Sequence, residues 1–324
     1  MPPINVTPQT IIAQLGIASA VPLITAIEQK RGTRVICLVY NEAPPFPAAL
    51  AFPVIPTFEN VLAQMGKVPK LDLLLRTTGG VTEVPWRIIS LLREFTDELG
   101  VIVSRIALSA GCHIAIGADH LVMGPFATLG SVDPTRQHQL LPLDPKTKEP
   151  IPTSVQDLKH CIQFVREQLG ESYPQQNLAL IISELFKYIN PLALGALEQS
   201  YNLSRLITEK VLKRRKTPPP EEKVKKIVDI LSGLYFSHSF LISRNEVETD
   251  LGLTVTRPDD ELSARIGAYE NYYLAEFQKM VPAAPGAAEK VHVGGLLETT
   301  AGGWVISQLI KADKVTNDPW LKFR

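Results

Sequence analysis

The chain has 324 residues, enough for one large domain or two ordinary ones with a substantial core. Its 33 basic and 33 acidic residues balance, so charge selects neither a nucleic acid nor an anionic membrane surface as partner. Cys37, Cys112 and Cys161 lie far apart with no CxxC spacing, which indicates neither a zinc site nor a disulfide framework.

The first 32 residues lack a basic start, and Pro22 interrupts their apolar run, which is not the pattern of a cleaved secretory leader. No stretch reaches about 18 uncharged apolar residues, so no membrane-spanning helix is predicted and a cytoplasmic protein is the expectation. RVICLVY (34–40) is continuous and β-branched, as a strand buried on both faces requires. FENVLAQM (58–65) has helical spacing. LDLLLRTT (71–78) predicts a second strand, followed at once by Gly79 and Gly80. In VPWRIISLLREFTDELG (84–100), Trp86, Ile89, Leu92 and Phe95 share a helical face, and Gly100 stands as the stop. VIVSRIALS (101–109) predicts a third strand, AGCHIAIGA (110–118) a short helix, and 120–125 and 127–134 further short strands. Strands and helices alternating in this way predict an α/β fold, a largely parallel sheet with flanking helices.

Beyond residue 150 the pattern is mainly helical. Residues 154–170 and 178–216 have helical period, TPPPEE (217–222) ends one helix and opens the next, and 223–236 is again amphipathic. KVHVGGLLETTAGGWVISQLI (290–310) has two apolar stretches around a turn and predicts a β-hairpin. It either completes the core or forms a contact between subunits. The expected organisation is a first domain over 1–180 and a helical C-terminal extension over 181–324 that ends in the hairpin.

ALSAGCHIAIGAD (107–119) sets one hydroxyl, Ser109, among small apolar residues. In a parallel sheet, ligands sit outside the carboxyl ends of the strands. Two strands end there, one in TTGG and one at Ser109. Glycine lets the backbone approach a substrate closely, and Ala110 N–H opens the following helix. A hydroxyl beside such donors suits acyl transfer, whose tetrahedral intermediate carries an oxyanion. The small neighbours Ala107, Ala110 and Gly111 fit the same reading, since bulk there would block approach.

LDLLLRTTGGVTE followed by IALSAGCHIAIGADHLVMGPFATLGSVDP resembles the Clp/crotonase-fold serine peptidases, and among them the serine dehydrogenase proteinase family, related to signal peptide peptidase A. The resemblance is carried by residues 30–180 and continues more weakly through most of the chain. It implies a Clp/crotonase-like fold, peptide hydrolysis with Ser109 as nucleophile, an oxyanion hole in the region of Gly79, Gly80 and Ala110, no cofactor or metal, and a homo-oligomer. Thr78 stands where the family usually has proline. Cys112 is an alternative nucleophile in principle, but it is expected inside the helix, where a buried structural thiol is the plainer reading.

The general base is the open position. Where the Clp proteolytic subunit has histidine, ATLGSVDP offers Ser131; this stretch resembles signal peptide peptidase A, whose base is a lysine further downstream. Lys146, Lys148 and Lys159 are in range, Lys148 and Lys159 being the preferred pair. A lysine base must be desolvated to fall from about 10.4 towards neutrality. His138 is a further candidate. His113 is expected to point away, His238 to be a packed residue, and Asp119 and Asp133 to cap or turn the chain. Two other readings stand beside the peptidase: a catalytically inactive Clp-fold scaffold, and a crotonase-type enzyme on an acyl-coenzyme A ester, against which the serine at the helix start speaks. TTGG lacks the lysine of a phosphate-binding loop.

Overall fold

Arg34–Tyr40 forms strand β1 over the stretch expected, and all residues from Val35 to Tyr40 are buried. Its side chains divide by the two-residue period. Ile36, Leu38 and Tyr40 enter one core, and Val35, Cys37 and Val39 enter another on the opposite face. That division explains why the run is apolar throughout rather than alternating. The computed structural model describes residues 8–43, 47–169, 175–235, 237–283, 287–311, 314–317 and 320–324.

Helices α1 (Pro8–Leu15) and α2 (Val21–Arg31) precede β1. The α2 helix ends on Gly32 at φ +63°, the left-handed stop that glycine takes without a Cβ penalty. After β1 come α3 (Val54–Met65), β2 (Val68–Thr77), α4 (Val84–Phe95), β3 (Thr96–Ala107), α5 (Ala110–Ile116), β4 (His120–Met123) and β5 (Thr128–Gly130). Strands β1, β2, β3 and β4 pair in parallel, and β5 pairs with the last residues of β3, Ile106 and Ala107. The sheet is therefore the parallel α/β sheet with flanking helices that the sequence predicts.

One boundary differs. The helix expected to run to Gly100 stops at Phe95, and β3 begins at Thr96 with no loop between. Thr96 is already extended (φ −143°, ψ 145°) and faces Val68, with Glu98 opposite Lys70 and Leu99 opposite Leu71. Gly100 is not a helix stop. A Cβ there would lie 1.9 Å from Asp72 Oδ1, and Asp72 is held by Arg31 Nε at 2.7 Å and Thr33 Oγ1 at 2.9 Å.

The second half supplies β6 (Thr135–Arg136), β7 (Thr153–Ser154), α6 (Val155–Leu169), α7 (Gln175–Leu185), α8 (Pro191–Lys213) and α9 (Glu221–Asp229), which runs into a π-helical turn over Ile230–Leu234. Then follow β8 (Leu241–Ser243), α10 (Arg244–Thr249), β9 (Val255–Thr256), α11 (Asp260–Phe277), β10 (Met280–Pro282), β11 (Lys290–Glu298), β12 (Gly303–Lys311), β13 (Lys314–Asn317) and β14 (Leu321–Lys322). The expected C-terminal hairpin is β11–β12, closed between Glu298 and Gly303. It completes the protein's own sheet, because β11 lies antiparallel against β1 with Cys37 opposite Glu298 and Tyr40 opposite Gly295. The main path reads β13-β12-β11-β1-β2-β3-β4-β9. Helices α3, α4, α5, α8 and α9 bury apolar residues on one face, and α1, α2 and α11 on the other. The carboxyl ends of β2 and β3 lie in the middle of this arrangement.

Candidate active site

Strand β3 ends at Ala107, and Leu108 N–H donates to Thr77 O at 3.0 Å, the last rung between β3 and β2. Ser109 then takes φ +49° and ψ −114°, a backbone conformation that non-glycine residues rarely adopt. The turn is closed by Gly111 N–H to Leu108 O at 2.8 Å and Cys112 N–H to Ser109 O at 2.9 Å, and α5 starts at Ala110. Such strain, on the order of 1–3 kcal/mol, persists only where the surroundings over-determine it. Here they do: Ala110 to Ala118 are all buried, while Ser109 itself stays partly exposed at the carboxyl edge. Gly111 is small for a reason other than substrate approach. A Cβ on it would lie 2.5 Å from Thr77 Cγ2, so it lets α5 pack on the end of β2.

The end of β2 is shaped by its own hydroxyl. Thr77 Oγ1 accepts from Gly79 N–H at 3.0 Å, and Gly79 O accepts from Leu50 N–H at 2.8 Å. Val81 N–H donates to Leu50 O at 2.9 Å, so Leu50 and Gly80 form a short parallel bridge. Gly79 (φ +112°) and Gly80 (φ +148°) both hold conformations closed to other residues. A Cβ on Gly80 would stand 2.0 Å from Leu50 O, and one on Gly79 would meet Ser109 Cβ at 2.8 Å. The bridge uses Gly79 O and Val81 N–H, which turns Gly80 N–H to the other side. Among the described residues neither Gly80 N–H nor Ala110 N–H has an acceptor, whereas Gly79 N–H is committed to Thr77. Gly80 also lines a cleft of about 550 Å³, whose other walls include Glu83, Pro134, Arg136 and, on α8, Gln199 and Leu203.

The structure thus brings Gly79, Gly80, Ser109 and Ala110 together. It does not bring the candidate lysines into contact with them. Lys148 is exposed at φ +60° in a turn where its N–H donates to Asp144 O at 2.9 Å, and Asp144 Oδ1 accepts from Lys146 N–H at 2.7 Å. Lys159, on α6, is exposed and holds its ammonium 3.9 Å from the centre of the Tyr201 ring on α8. His138 Nδ1 accepts from Leu140 N–H at 3.2 Å. Among the described residues no hydrogen bond reaches Ser109 Oγ.

The remaining candidates have structural surroundings. His113 is buried against α8, with Nε2 3.1 Å from Thr208 Oγ1, and burial lowers its pKa to about 4. Burial pushes the Cys112 thiol up to about 12, the state of an inert thiol. Asp119 is opposed by burial but held below the usual carboxylate range by Arg93 at 2.8 Å and by Leu99 N–H and Lys216 N–H. It ties three segments together. His238 is half-buried, and its Nδ1–H donates to Asp133 O. The Asp133 carboxyl is buried and raised to about 6, by desolvation first and then by Asp157, against Ser154 and Lys159, which lower it. Nothing in the sequence singles out this last group, because its neighbours come from 154–160 and 231–238.

The comparison with protein families agrees with a Clp-like serine proteinase class over part of the chain. Residues 4–143 match the family described as ClpP-like SDH-type serine proteinases, so the resemblance stated above holds over that stretch. An uncharacterized protein of Methanocaldococcus jannaschii is 33% identical over 122 residues, covering 34% of this chain and only 40% of its own length. A second from the same organism is 27% identical over 259 residues, covering 76% of this chain and 77% of that one. Among solved structures, a membrane-bound stomatin-specific protease covers 68% of this chain and 81% of its own, at 12% identity and a TM-score of 0.38. ClpP1 from Listeria monocytogenes covers 72% of this chain and 98% of its own, at 12% identity and a TM-score of 0.36. Among the described residues no helix is long and apolar enough to cross a membrane.

Proposed function

We propose that the protein is a serine peptidase with Ser109 as its nucleophile. Ser109 Oγ adds to the carbonyl carbon of a peptide bond and gives its proton to a base. The oxyanion lies between the N–H groups of Gly80 and Ala110. Collapse breaks the C–N bond, the protonated amine leaves, and water hydrolyses the acyl-enzyme. Gly79 serves by closeness to Ser109 rather than as a donor, since Thr77 occupies its N–H. The observation that carries this reading is the φ +49° turn that holds Ser109 open at the sheet edge beside two N–H groups with no acceptor among the described residues. One such donor is worth about 3–4 kcal/mol of barrier in acyl transfer.

The base is a lysine. Lys159 is favoured over Lys148 because Tyr201, under its ammonium, is on the helix that supplies Gln199 and Leu203 to the cleft beside Gly80. The exposed apolar side chains of Phe164 on α6, Tyr188 between α7 and α8, and Leu192 on α8 support self-association of the kind the family resemblance implies, with a peptide or protein as substrate.

Hydrolysis of an unfolded protein substrate by wild type, Ser109→Ala, Lys148→Ala and Lys159→Ala tests the assignment. Loss with Ser109→Ala and Lys159→Ala, and a pH–rate profile whose rising acidic limb survives Lys148→Ala, is the expected result. The inactive-scaffold reading has one observation on its side, the absence of a base touching Ser109 among the described residues. A well-folded wild type that hydrolyses nothing would establish it.

A further inference from the structure

Beside the cleft lies a second cavity of about 230 Å³ that shares Thr135 with it. Its walls include Ser131, Asp133, Ser154, Asp157, Tyr235 and His238. Asp133 is 7% exposed, and its Oδ1 has no hydrogen-bond partner. The same carboxyl accepts from Ser154, but among the described residues no basic side chain is paired with it. Lys159 lowers the Asp133 pKa through space but holds its ammonium over the Tyr201 ring instead. A buried carboxylate with one unpartnered oxygen and no ion pair is costly, so a cavity lined by one is complementary to a cation. Tyr235, stacked on Phe240 at 4.5 Å between ring centres, gives the cavity a flat wall. That wall suits the planar, weakly hydrated head of arginine or the stem of lysine. Among the described residues no three acidic, histidine or cysteine groups converge to hold a metal ion.

The geometry points to a subsite for a guanidinium or ammonium group, with Asp133 as its counter-ion, that receives a basic side chain of the bound peptide. The source of the cation rests on the peptidase reading; the site does not. Its place relative to Ser109 is set by the chain. Leu129 on β5 pairs with Ala107, Gly130 abuts Leu108, and Asp133 follows three residues later.

The site is tested without catalysis, on the full-length Ser109→Ala protein, with benzamidine and its neutral analogue benzamide as probes in calorimetry. The expected result is benzamidine binding at least tenfold tighter than benzamide, lost when Asp133→Asn is added. Thr135→Lys, at an exposed position, sets a competing ammonium at the mouth and is expected to abolish the difference too. It decides the question if Asp133→Asn does not fold. Equal binding of the two probes, or a preference that survives both variants, overturns the site. Cleavage products of a denatured protein made by wild type then test the source. Lysine or arginine enriched at one fixed position from the scissile bond, and no longer enriched with Thr135→Lys, supports a substrate side chain. Cleavage indifferent to basic residues overturns that assignment. If wild type cleaves nothing, the peptidase reading fails, and the benzamidine result alone stands for a site that takes free cations.

Discussion

Gly79 lies against Ser109 so closely that a β-carbon on Gly79 would stand 2.8 Å from Ser109 Cβ and 2.9 Å from Leu108 O. The contact joins the end of β2 to the turn after β3, and both residues have positive φ. Gly79→Ala therefore cannot be absorbed by a rotamer change, since the obstacle includes backbone. The expected outcome is at least a hundredfold loss of peptide hydrolysis, as a displacement of about 1 Å at a reacting centre produces. Steady-state kinetics on a variant shown folded by circular dichroism checks it.

Thr77 Oγ1 accepts from Gly79 N–H at 3.0 Å and thereby fixes the peptide that precedes Gly80. Thr77→Val keeps the shape and removes the acceptor, leaving a buried N–H unpaired at about 1–3 kcal/mol. The expected change is a lower kcat with little change in KM, and recovery in Thr77→Ser. A uniform loss of folded protein with no recovery in the serine variant would make Thr77 structural only.

His113 makes stability depend on pH. Its pKa is about 4 in the folded protein and about 6.5 unfolded, so below neutrality the unfolded chain takes up the proton first. The contribution is intact above pH 6.5 and is lost progressively as pH falls towards 4, by on the order of 3 kcal/mol for a fully buried imidazole. Urea unfolding of wild type and His113→Gln at both ends of this range isolates it. Wild type is expected to lose more stability than the variant by about that amount.

Gly100→Ala sets a methyl 1.9 Å from Asp72 Oδ1 and displaces the carboxylate from Arg31 and Thr33. Removing a partner from a buried charge costs about 3–5 kcal/mol, and Gly100→Ala is expected to cost a similar amount in chemical denaturation. Activity of the remaining folded protein is expected to be unchanged, because Asp72 and Gly100 sit near the other end of the strands from Ser109.

Much of this architecture is written locally in the chain. Strand β1 and the β11–β12 hairpin are legible because each is an apolar run ended by turn residues. TDELG (96–100) is not, because its acids and glycine look like a helix end until Val68–Asp72 is known to lie alongside. Ser109 is legible because TTGG and SAG each terminate a strand at the same edge. The base is not legible, and the reason is physical. A lysine acquires that role from desolvation and position, both made by distant segments, and neither leaves a spacing in the sequence. Asp133 is hidden in the same way: SVDP looks like a turn, and only Ser154, Tyr235 and His238 make it a buried carboxyl in the lining of a cavity.

The most direct measurement is labelling with a fluorophosphonate, followed by mass mapping of the modified peptide, on wild type, Ser109→Ala and Cys112→Ala. An activated serine gives one adduct on Ser109, absent in Ser109→Ala and retained in Cys112→Ala. A folded protein that stays unlabelled across roughly pH 6 to 10, where a lysine base must lose its proton, would contradict catalysis at Ser109, as would an adduct mapped to another residue.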